Sequence, residues 1–296
     1  MKIVFPNLPI ETVNDISECL ESIKEQCNLN IFLWNSNLKS VIDLFDEIQP
    51  DIAFVHQSQL DIGWKFICNE FNFKYILLID NDIPYELLNS LSQKPLAIIA
   101  PPTLKDSKEY KIINIQTVAR VAQLDGGKYN KHLESDILVD TTDVQIDHNV
   151  NNILLYLING YRTKIIGENK VDFLHYLGKV TKFERANFIK SAKVVIDLKS
   201  NPSHCLDAAY LKIPSISFHS NLTEGNILQF NNMKELESNL NTMLNKDAIR
   251  KKYIDQCYKT ICKNKTSYHF TSNVFKQIDE NNISENLLTY LEGLKR

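Results

Sequence analysis

Short runs of β-branched and aromatic residues alternate with amphipathic helical segments along most of this sequence. The alternation restricts the fold more than any other feature, because neighbouring parallel strands need a crossover connection, which is usually a helix. Val13, Ile16 and Leu20 recur at helical spacing and predict a buried helix face. In the first third of the chain, the pattern predicts strands at residues 2–5, 30–34, 51–55, 75–79, 96–100 and 111–115, with helices from about Glu11 and Leu38.

The same alternation begins again after Asp125-Gly126-Gly127. Two successive units of this kind predict two Rossmann-like α/β domains, residues 1–127 and 128–280, which face each other across a cleft. In the second unit, Thr181 and Glu184 have the spacing of a capping box at a helix start. The pattern there predicts strands at 136–140, 164–167, 193–198 and 214–218, helices at 150–159 and 203–211, and a remainder that is entirely helical. The last segment, residues 281–296, carries an apolar stripe that needs a surface to dock on, formed by Leu287, Leu288, Leu291 and Leu294.

Composition places the chain among ordinary globular proteins. Its 296 residues are 44% hydrophobic and 23% charged, which is close to the globular average. No apolar run approaches the roughly 20 residues that span a bilayer, and the first residues lead directly into a strand, so we expect a cytoplasmic protein. A net charge of −3 lacks the basic bias of a dedicated nucleic-acid binder, although it does not exclude DNA as a substrate.

Ligands of open α/β sheets bind beyond the carboxyl ends of the strands, so the loops that follow the predicted strands are where a site is expected. None of these loops carries a Gly-x-Gly-x-x-Gly or P-loop motif. The sequence therefore disfavours nucleotide-dependent dehydrogenases and P-loop NTPases.

The most informative segment is residues 191–218, which reads as a strand, a polar loop, a short helix and a second strand. Ser203, His204 and Asp207 have the spacing of one face of the first helical turns. Such a helix start offers N–H groups to a diphosphate, and an acidic side chain one turn later accepts hydrogen bonds from ribose hydroxyls. For Asn201 and Ser203, simple capping of the helix is an equally good interpretation.

This segment resembles the donor-binding half of GT-B glycosyltransferases, and within them the CgeB or spore-maturation-protein type. Residues 47–56 resemble the Pro-Asp strand of their first domain, and residues 266–270 resemble the segment before their last helices. The family usually has Glu where this chain has Asp207 and a small residue at Leu211-Lys212, which leaves the ribose contact open.

The resemblance implies a hexosyl- or pentosyltransferase with a nucleotide-sugar co-substrate, UDP-linked in our interpretation, and neither a cofactor nor a metal. It implies that residues 1–127 form the acceptor side, that residues 128–280 bind the donor, and that the last helix packs back on the first domain. The residues that it implies for donor binding are Asp207, Ser203, His204, Asn201, Lys179 and Thr141. We expect Asp207→Ala to weaken nucleotide binding while leaving folding nearly intact.

Candidate catalytic groups follow strands of the first domain. His56, Asp80 and Asp82 lie at the edge where a base could take the proton of the acceptor. Asp80-Asn81-Asp82 also resembles the Asp-x-Asp metal motif of GT-A glycosyltransferases, although solvated turn residues explain it equally well.

Two other functions stay open at this point, a nucleotide-sugar 2-epimerase and a non-catalytic sugar-nucleotide-binding protein. The acceptor of a transferase is not identified by the sequence, and a glycan, a protein and a modified base of DNA all remain candidates.

Overall fold

A computed structural model gives the fold of the chain and describes residues 1–6, 11–34, 38–60, 74–79, 93–101, 110–116, 118–124, 126–199, 203–218, 227–278 and 285–294. The described strands are β1 Lys2–Pro6, β2 Asn30–Trp34, β3 Ile52–His56, β4 Lys74–Leu78, β5 Ala97–Ala100, β6 Ile112–Asn114, β7 Ser135–Asp140, β8 Thr163–Ile166, β9 Ala192–Asp197, β10 Ser215–Phe218 and β11 Leu228–Phe230. The described α-helices are α1 Glu11–Glu21, α2 Lys24–Cys27, α3 Leu38–Ile48, α4 Val121–Leu124, α5 His148–Gly160, α6 Lys182–Ser191, α7 Ser203–Tyr210, α8 Met233–Asn245, α9 Asp247–Asn264, α10 Ser267–Gln277 and α11 Glu285–Gly293.

The chain divides into two compact units. Unit 1 comprises Met1–Gln116 and Tyr268–Leu294, and unit 2 comprises Thr117–Ser267. Each unit contains one sheet, and every strand pairing in both sheets is parallel. The predicted class, two Rossmann-like α/β domains built on parallel sheets, is confirmed.

Unit 1 is organised around a six-stranded sheet in the order β2-β1-β3-β4-β5-β6. Its central strands are apolar on both faces, as expected for a parallel sheet that helices cover. Phe5 of β1 stacks on Phe54 of β3 with ring centroids 4.4 Å apart, and Phe275 of α10 packs against Phe54 at 6.4 Å. The residues Val13, Ile16 and Leu20 of α1 are buried, as their spacing predicts.

The last described helix, α11, contributes to the core of unit 1 and contacts α2. Leu287 and Leu291 are completely buried, whereas Leu288 is partly exposed. Leu294, the fourth member of the predicted stripe, lies in the turn that follows the helix and is also partly exposed. Two of the four leucines, Leu287 and Leu291, are therefore the ones that α11 buries completely.

Unit 2 contains a five-stranded sheet in the order β11-β10-β9-β7-β8. The first three strands of this unit along the chain are β7, β8 and β9, and they lie side by side in the order β8-β7-β9. This is the same arrangement as β2-β1-β3 in unit 1. The direction of winding therefore reverses between β7 and β9, which makes a topological switch point. The short strand β11 corrects the prediction that everything after residue 218 is helical, since three residues give too little pattern to distinguish a strand from a loop.

The capping box predicted from the sequence is present at the start of α6. The Thr181 hydroxyl accepts from the Glu184 backbone N–H at 3.3 Å, and the Glu184 carboxylate accepts from the Thr181 backbone N–H at 2.8 Å. None of the described helices is both long and apolar enough to cross a bilayer.

Replacing Leu291 with alanine tests how far α11 supports unit 1. The side chain is completely buried, so we expect the variant to lose about 2–5 kcal/mol of unfolding free energy, measured by urea denaturation. Thr289→Ala is the matched control, because Thr289 lies on the exposed face of the same helix. Equal stability of the two variants would show that α11 contributes little to the core.

Candidate functional site

Charged side chains converge at the switch point of unit 2. Asp140 is the last residue of β7, and Asp197 is the last residue of β9. The helix α7 begins at Ser203, after the loop that follows β9. Ligands of open α/β sheets bind at this edge, which makes it the candidate site.

The Asp207 carboxylate holds two arginine side chains. Asp207 is completely buried in α7. Arg120 donates its backbone N–H to Asp207 Oδ1 at 2.8 Å and its Nε–H to Oδ2 at 2.9 Å, with a further bond from Nη2. Arg185 of α6 donates from Nη1 to the same Oδ2 at 2.8 Å. One carboxylate therefore fixes two guanidinium groups from distant parts of the chain.

Arg185 links this pair to the end of β7. Its Nε donates to Asp140 Oδ2 at 2.6 Å, so its guanidinium lies between Asp140 and Asp207. Lys199 is a third cation of the site, and its Nζ lies 3.3 Å from Asp143 Oδ2 and 3.4 Å from Ser203 Oγ. Arg120 and Arg185 each keep 12% of the side chain exposed and Lys199 keeps 7%, whereas Asp140 and Asp207 keep 4% or less. The cations therefore lie nearer the solvent than the carboxylates.

His204 lies between the two strand-end carboxylates. Its Nε2 is 3.6 Å from Asp140 Oδ2, and its Nδ1 is 3.6 Å from Asp197 Oδ1. Asp197 also accepts backbone hydrogen bonds from Lys199 and Cys205, each at 3.0 Å. These bonds tie the start of α7 to the end of β9.

The carboxylates of the site differ in charge state. Burial works against the charge of Asp207, but Arg120 and Arg185 outweigh it and hold the pKa of Asp207 below its ordinary value. Burial likewise opposes the charge of Asp140, and the neighbouring His204 and Arg185 hold the Asp140 pKa well below its usual range. For Asp197, burial prevails over two backbone hydrogen bonds and raises its pKa to about 7. Burial also lowers the pKa of His204 well below its ordinary value.

A glycine after β8 and a threonine after β7 lie in close contact beside the site. Gly167 follows β8 with φ +129°, and a Cβ there would lie 2.5 Å from the Thr142 backbone nitrogen. The position therefore requires glycine for both conformation and space. The Thr141 hydroxyl is completely buried and donates to the backbone carbonyls of Ile166 at 3.0 Å and Asn169 at 2.8 Å.

Three fixed cations at a strand edge suit an anionic ligand. Guanidinium groups that buried carboxylates already orient lose little freedom when they bind a phosphate. A short helix begins in the same place, and its first N–H groups favour negative charge. In chemical terms the arrangement is suited to an anion such as a diphosphate.

The structure brings together several of the predicted donor-binding residues and places Lys179 in an exposed loop. Ser203, His204 and Asp207 lie together at the switch point. Lys179 is 73% exposed in the loop before α6 and pairs with Glu168 at 2.6 Å. Asn201 lies outside the described residues. The predicted contact of Asp207 with a donor ribose stays a prediction; in this structure Oδ1 accepts from the Arg120 backbone N–H, and Oδ2 accepts from the side chains of Arg120 and Arg185.

The candidate catalytic residues belong to unit 1. His56 ends β3 and caps the 3₁₀ turn Gln57–Gln59, with Nδ1 2.7 Å from Ser58 Oγ. Asp80 and Asp82 lie outside the described residues. Within the part of the chain that the structure describes, no group of three or more His, Cys, Asp and Glu side chains has the arrangement of a metal site.

Sequence reasoning missed both arginines and Lys199. Two strands that each end in Asp, at residues 140 and 197, are a signal that could have indicated buried charge at one sheet edge. No local pattern indicates Arg120, which is 87 residues from its partner Asp207.

Removing the Asp207 carboxylate should destabilise the protein. Arg120 would lose three hydrogen bonds to a buried carboxylate and Arg185 would lose one, so Asp207→Ala should cost about 3–5 kcal/mol in unfolding free energy by urea denaturation. The hydrogen bonds of Asp207 therefore replace the expectation from sequence, that folding would stay nearly intact, with a prediction of lost stability. Asp172→Ala is the control, because Asp172 is 97% exposed, and its change should stay within about 0.5 kcal/mol. Equal stabilities would show that the arginine pairs contribute nothing.

Comparison with known proteins identifies the fold. No protein-family model and no curated protein matches the chain. A glycosyltransferase from Rickettsia africae ESF-5 superimposes with a TM-score of 0.66 at 11% identity, covering 94% of this chain and 98% of that one. Sucrose-phosphate synthase from Thermosynechococcus elongatus gives 0.63 at 7% identity, covering 93% and 98%. UDP-GlcNAc 2-epimerase from Neisseria meningitidis, bound to UDP-GlcNAc, gives 0.54 at 11%, covering 94% and 99%. At these identities the likeness concerns the fold, and the chain has the two-unit, Rossmann-like fold of GT-B glycosyltransferases.

Proposed function

We propose that this protein is a glycosyltransferase that takes a sugar from a nucleotide-sugar donor bound by unit 2. The observation that carries the proposal is a group of three cations at the switch point of unit 2: Arg120 and Arg185, which buried carboxylates hold, and Lys199, which pairs with Asp143. In a chain with this fold, an anion-binding edge in the second unit is where a donor diphosphate would bind. The sequence resemblance of residues 191–218 supports the same half of the molecule.

In this proposal the cations bind the diphosphate and the buried carboxylates orient them. Asp207 and Asp140 hold Arg185 in one position, and Asp207 holds Arg120. Ser203, beside Lys199 at the first turn of α7, remains a donor-binding candidate. Thr141, which bonds backbone carbonyls, positions the loop after β7.

Transfer also needs a group that takes the proton of the acceptor if the reaction inverts the sugar. His56, Asp80 and Asp82 remain our candidates, because each follows a strand of unit 1. The proposal has four finer parts. The donor carries a hexosyl or pentosyl group, its nucleotide is UDP, the enzyme is of the CgeB type, and the acceptor is a glycan, a protein or DNA.

Donor binding can be tested by changing one cation of the site and a matched control residue. Lys199→Met keeps the apolar stem and removes the charge, so it should weaken binding of UDP-GlcNAc about tenfold in thermal-shift titrations, as expected for one lost charged contact. Lys193→Met is the control, because Lys193 pairs with Asp136 at the opposite edge of the same sheet. A panel of other nucleotide sugars identifies the preferred donor. If no nucleotide sugar stabilises the wild type, a non-catalytic protein with another ligand becomes the better account.

Metal independence is a separate expected outcome. Because guanidinium and ammonium groups would neutralise the diphosphate, sugar transfer should persist in EDTA. The assay follows transfer to candidate acceptors by mass spectrometry, with and without EDTA. Activity that EDTA abolishes and Mn²⁺ restores would instead assign Asp80 and Asp82 as metal ligands.

A nucleotide-sugar 2-epimerase is the second candidate function. The observation that favours it is the presence of UDP-GlcNAc 2-epimerases among the solved structures with this fold, including one from Listeria monocytogenes described as putative, with a TM-score of 0.52 at 10% identity. An epimerase acts on the donor alone. Conversion of UDP-GlcNAc in the absence of any acceptor would therefore separate the two functions.

A further inference from the structure

Two aspartates and a histidine lie buried together at the switch point of unit 2. If both carboxylates are ionised and the imidazole is neutral, the three side chains have one proton too few to satisfy one another. Asp140 and Asp197 face the two ring nitrogens of His204, each at 3.6 Å. All three side chains are at least 96% buried. His204 Nδ1 has no hydrogen-bond partner among the described residues.

The proton count follows from the chemistry of imidazole. A neutral ring carries one N–H, so it can donate to only one of the two carboxylates. The other ring nitrogen then presents a lone pair to an ionised carboxylate, and two acceptors facing each other in a buried place are costly. One additional proton removes the conflict, whichever ring tautomer is present.

Asp197 is the group on which this proton resides. Burial raises the Asp197 pKa to about 7, although backbone N–H groups of Lys199 and Cys205 and the charge of Lys199 act in the opposite direction. Burial lowers the His204 pKa, so the ring stays neutral and donates from Nε2 toward Asp140. A protonated Asp197 then faces the Nδ1 lone pair as a donor.

The proton changes the charge that a ligand meets. Six charged groups surround His204, and they come from six segments of the chain. They are Asp140 of β7, Asp197 of β9, Arg185 of α6, Asp207 of α7, Lys199 in the loop after β9, and Arg120 just before α4. With Asp197 protonated, three cations oppose two carboxylates and the group carries one positive charge. Without that proton the group is neutral. Asp143, 66% exposed, contributes a largely screened charge beside Lys199.

We propose that Asp197 and His204 hold one exchangeable proton behind the cations of unit 2, and that a dianionic ligand binds more tightly when this proton is present. The inference rests on the proposed function, because the ligand concerned is the donor diphosphate. Binding draws the proton from the buffer, and release of the ligand returns it. Asp197 acts here as a positioning residue, since its proton acts on the ligand through the neighbouring cations.

The test compares ligand binding at two pH values in three proteins. Sulfate and UDP-GlcNAc are the probes, because both stay dianionic over the range used. Thermal-shift titrations at constant ionic strength give apparent dissociation constants at about pH 6.5 and about pH 8.5. The proteins are the wild type, Asp197→Asn, which is neutral at both pH values, and Asp136→Asn, a control at the opposite edge of the sheet.

The expected result is a pH dependence that Asp197→Asn abolishes. In the wild type and Asp136→Asn, both probes should bind about tenfold more weakly at the higher pH, whereas Asp197→Asn should show little change. If Asp197→Asn does not fold, calorimetry of the wild type in two buffers of different ionisation enthalpy counts the protons taken up. Binding without proton uptake would overturn the proposal.

The outcomes separate this inference from the proposed function. UDP-GlcNAc binding with the same pH dependence in the wild type and Asp197→Asn overturns the inference and leaves the proposed function standing. A proton-dependent response to sulfate without any response to a nucleotide sugar supports the inference and counts against the proposed function. Failure of both probes to bind counts against both.

Discussion

The candidate site depends on one buried carboxylate. Asp207 has no exposed surface, yet the two arginines that it binds hold its pKa below the ordinary value and keep it ionised. A buried charge of this kind persists only when its partners compensate for lost hydration, so the positions of Arg120 and Arg185 are fixed together with it. Arg185 then extends the same constraint to Asp140 at the end of the neighbouring strand. The result is a cationic edge at which the protein's own carboxylates set the positions of two guanidinium groups.

The topology explains why these charges meet in one place. Parallel strands bring their carboxyl ends to one edge, and the winding reverses between β7 and β9, which is the position on such an edge where open α/β sheets bind ligands. Asp140 and Asp197 end these two strands, and α7 starts above them with His204 in its first turn. Gly167 allows the loop after β8 to approach Thr141 and Thr142 closely, so the loops after β7 and β8 pack against each other. Unit 1 repeats the strand order, and its candidate base His56 likewise is the last residue of a strand, at the carboxyl edge of that sheet.

Local patterns predicted most of the secondary structure and only part of the site. Strand and helix periodicity identified both sheets, and Thr181 with Glu184 identified a helix start, because these signals lie within a few neighbouring residues. Helical spacing also identified Ser203, His204 and Asp207 as candidate residues of the site. It could not show that Asp207 binds arginine side chains, since Arg185 is 22 and Arg120 is 87 residues away. Such pairings are set by tertiary packing, as is the placement of His204 between two carboxylates.

The central claim is that the cationic edge of unit 2 binds the diphosphate of a nucleotide sugar. A crystal structure of the protein with the donor selected by the binding panel tests it most directly. The account predicts diphosphate oxygens within hydrogen-bonding distance of Arg120, Arg185 or Lys199, about 2.7–3.2 Å, at the start of α7. A diphosphate bound elsewhere, with Asp207 and its arginines untouched, would contradict it.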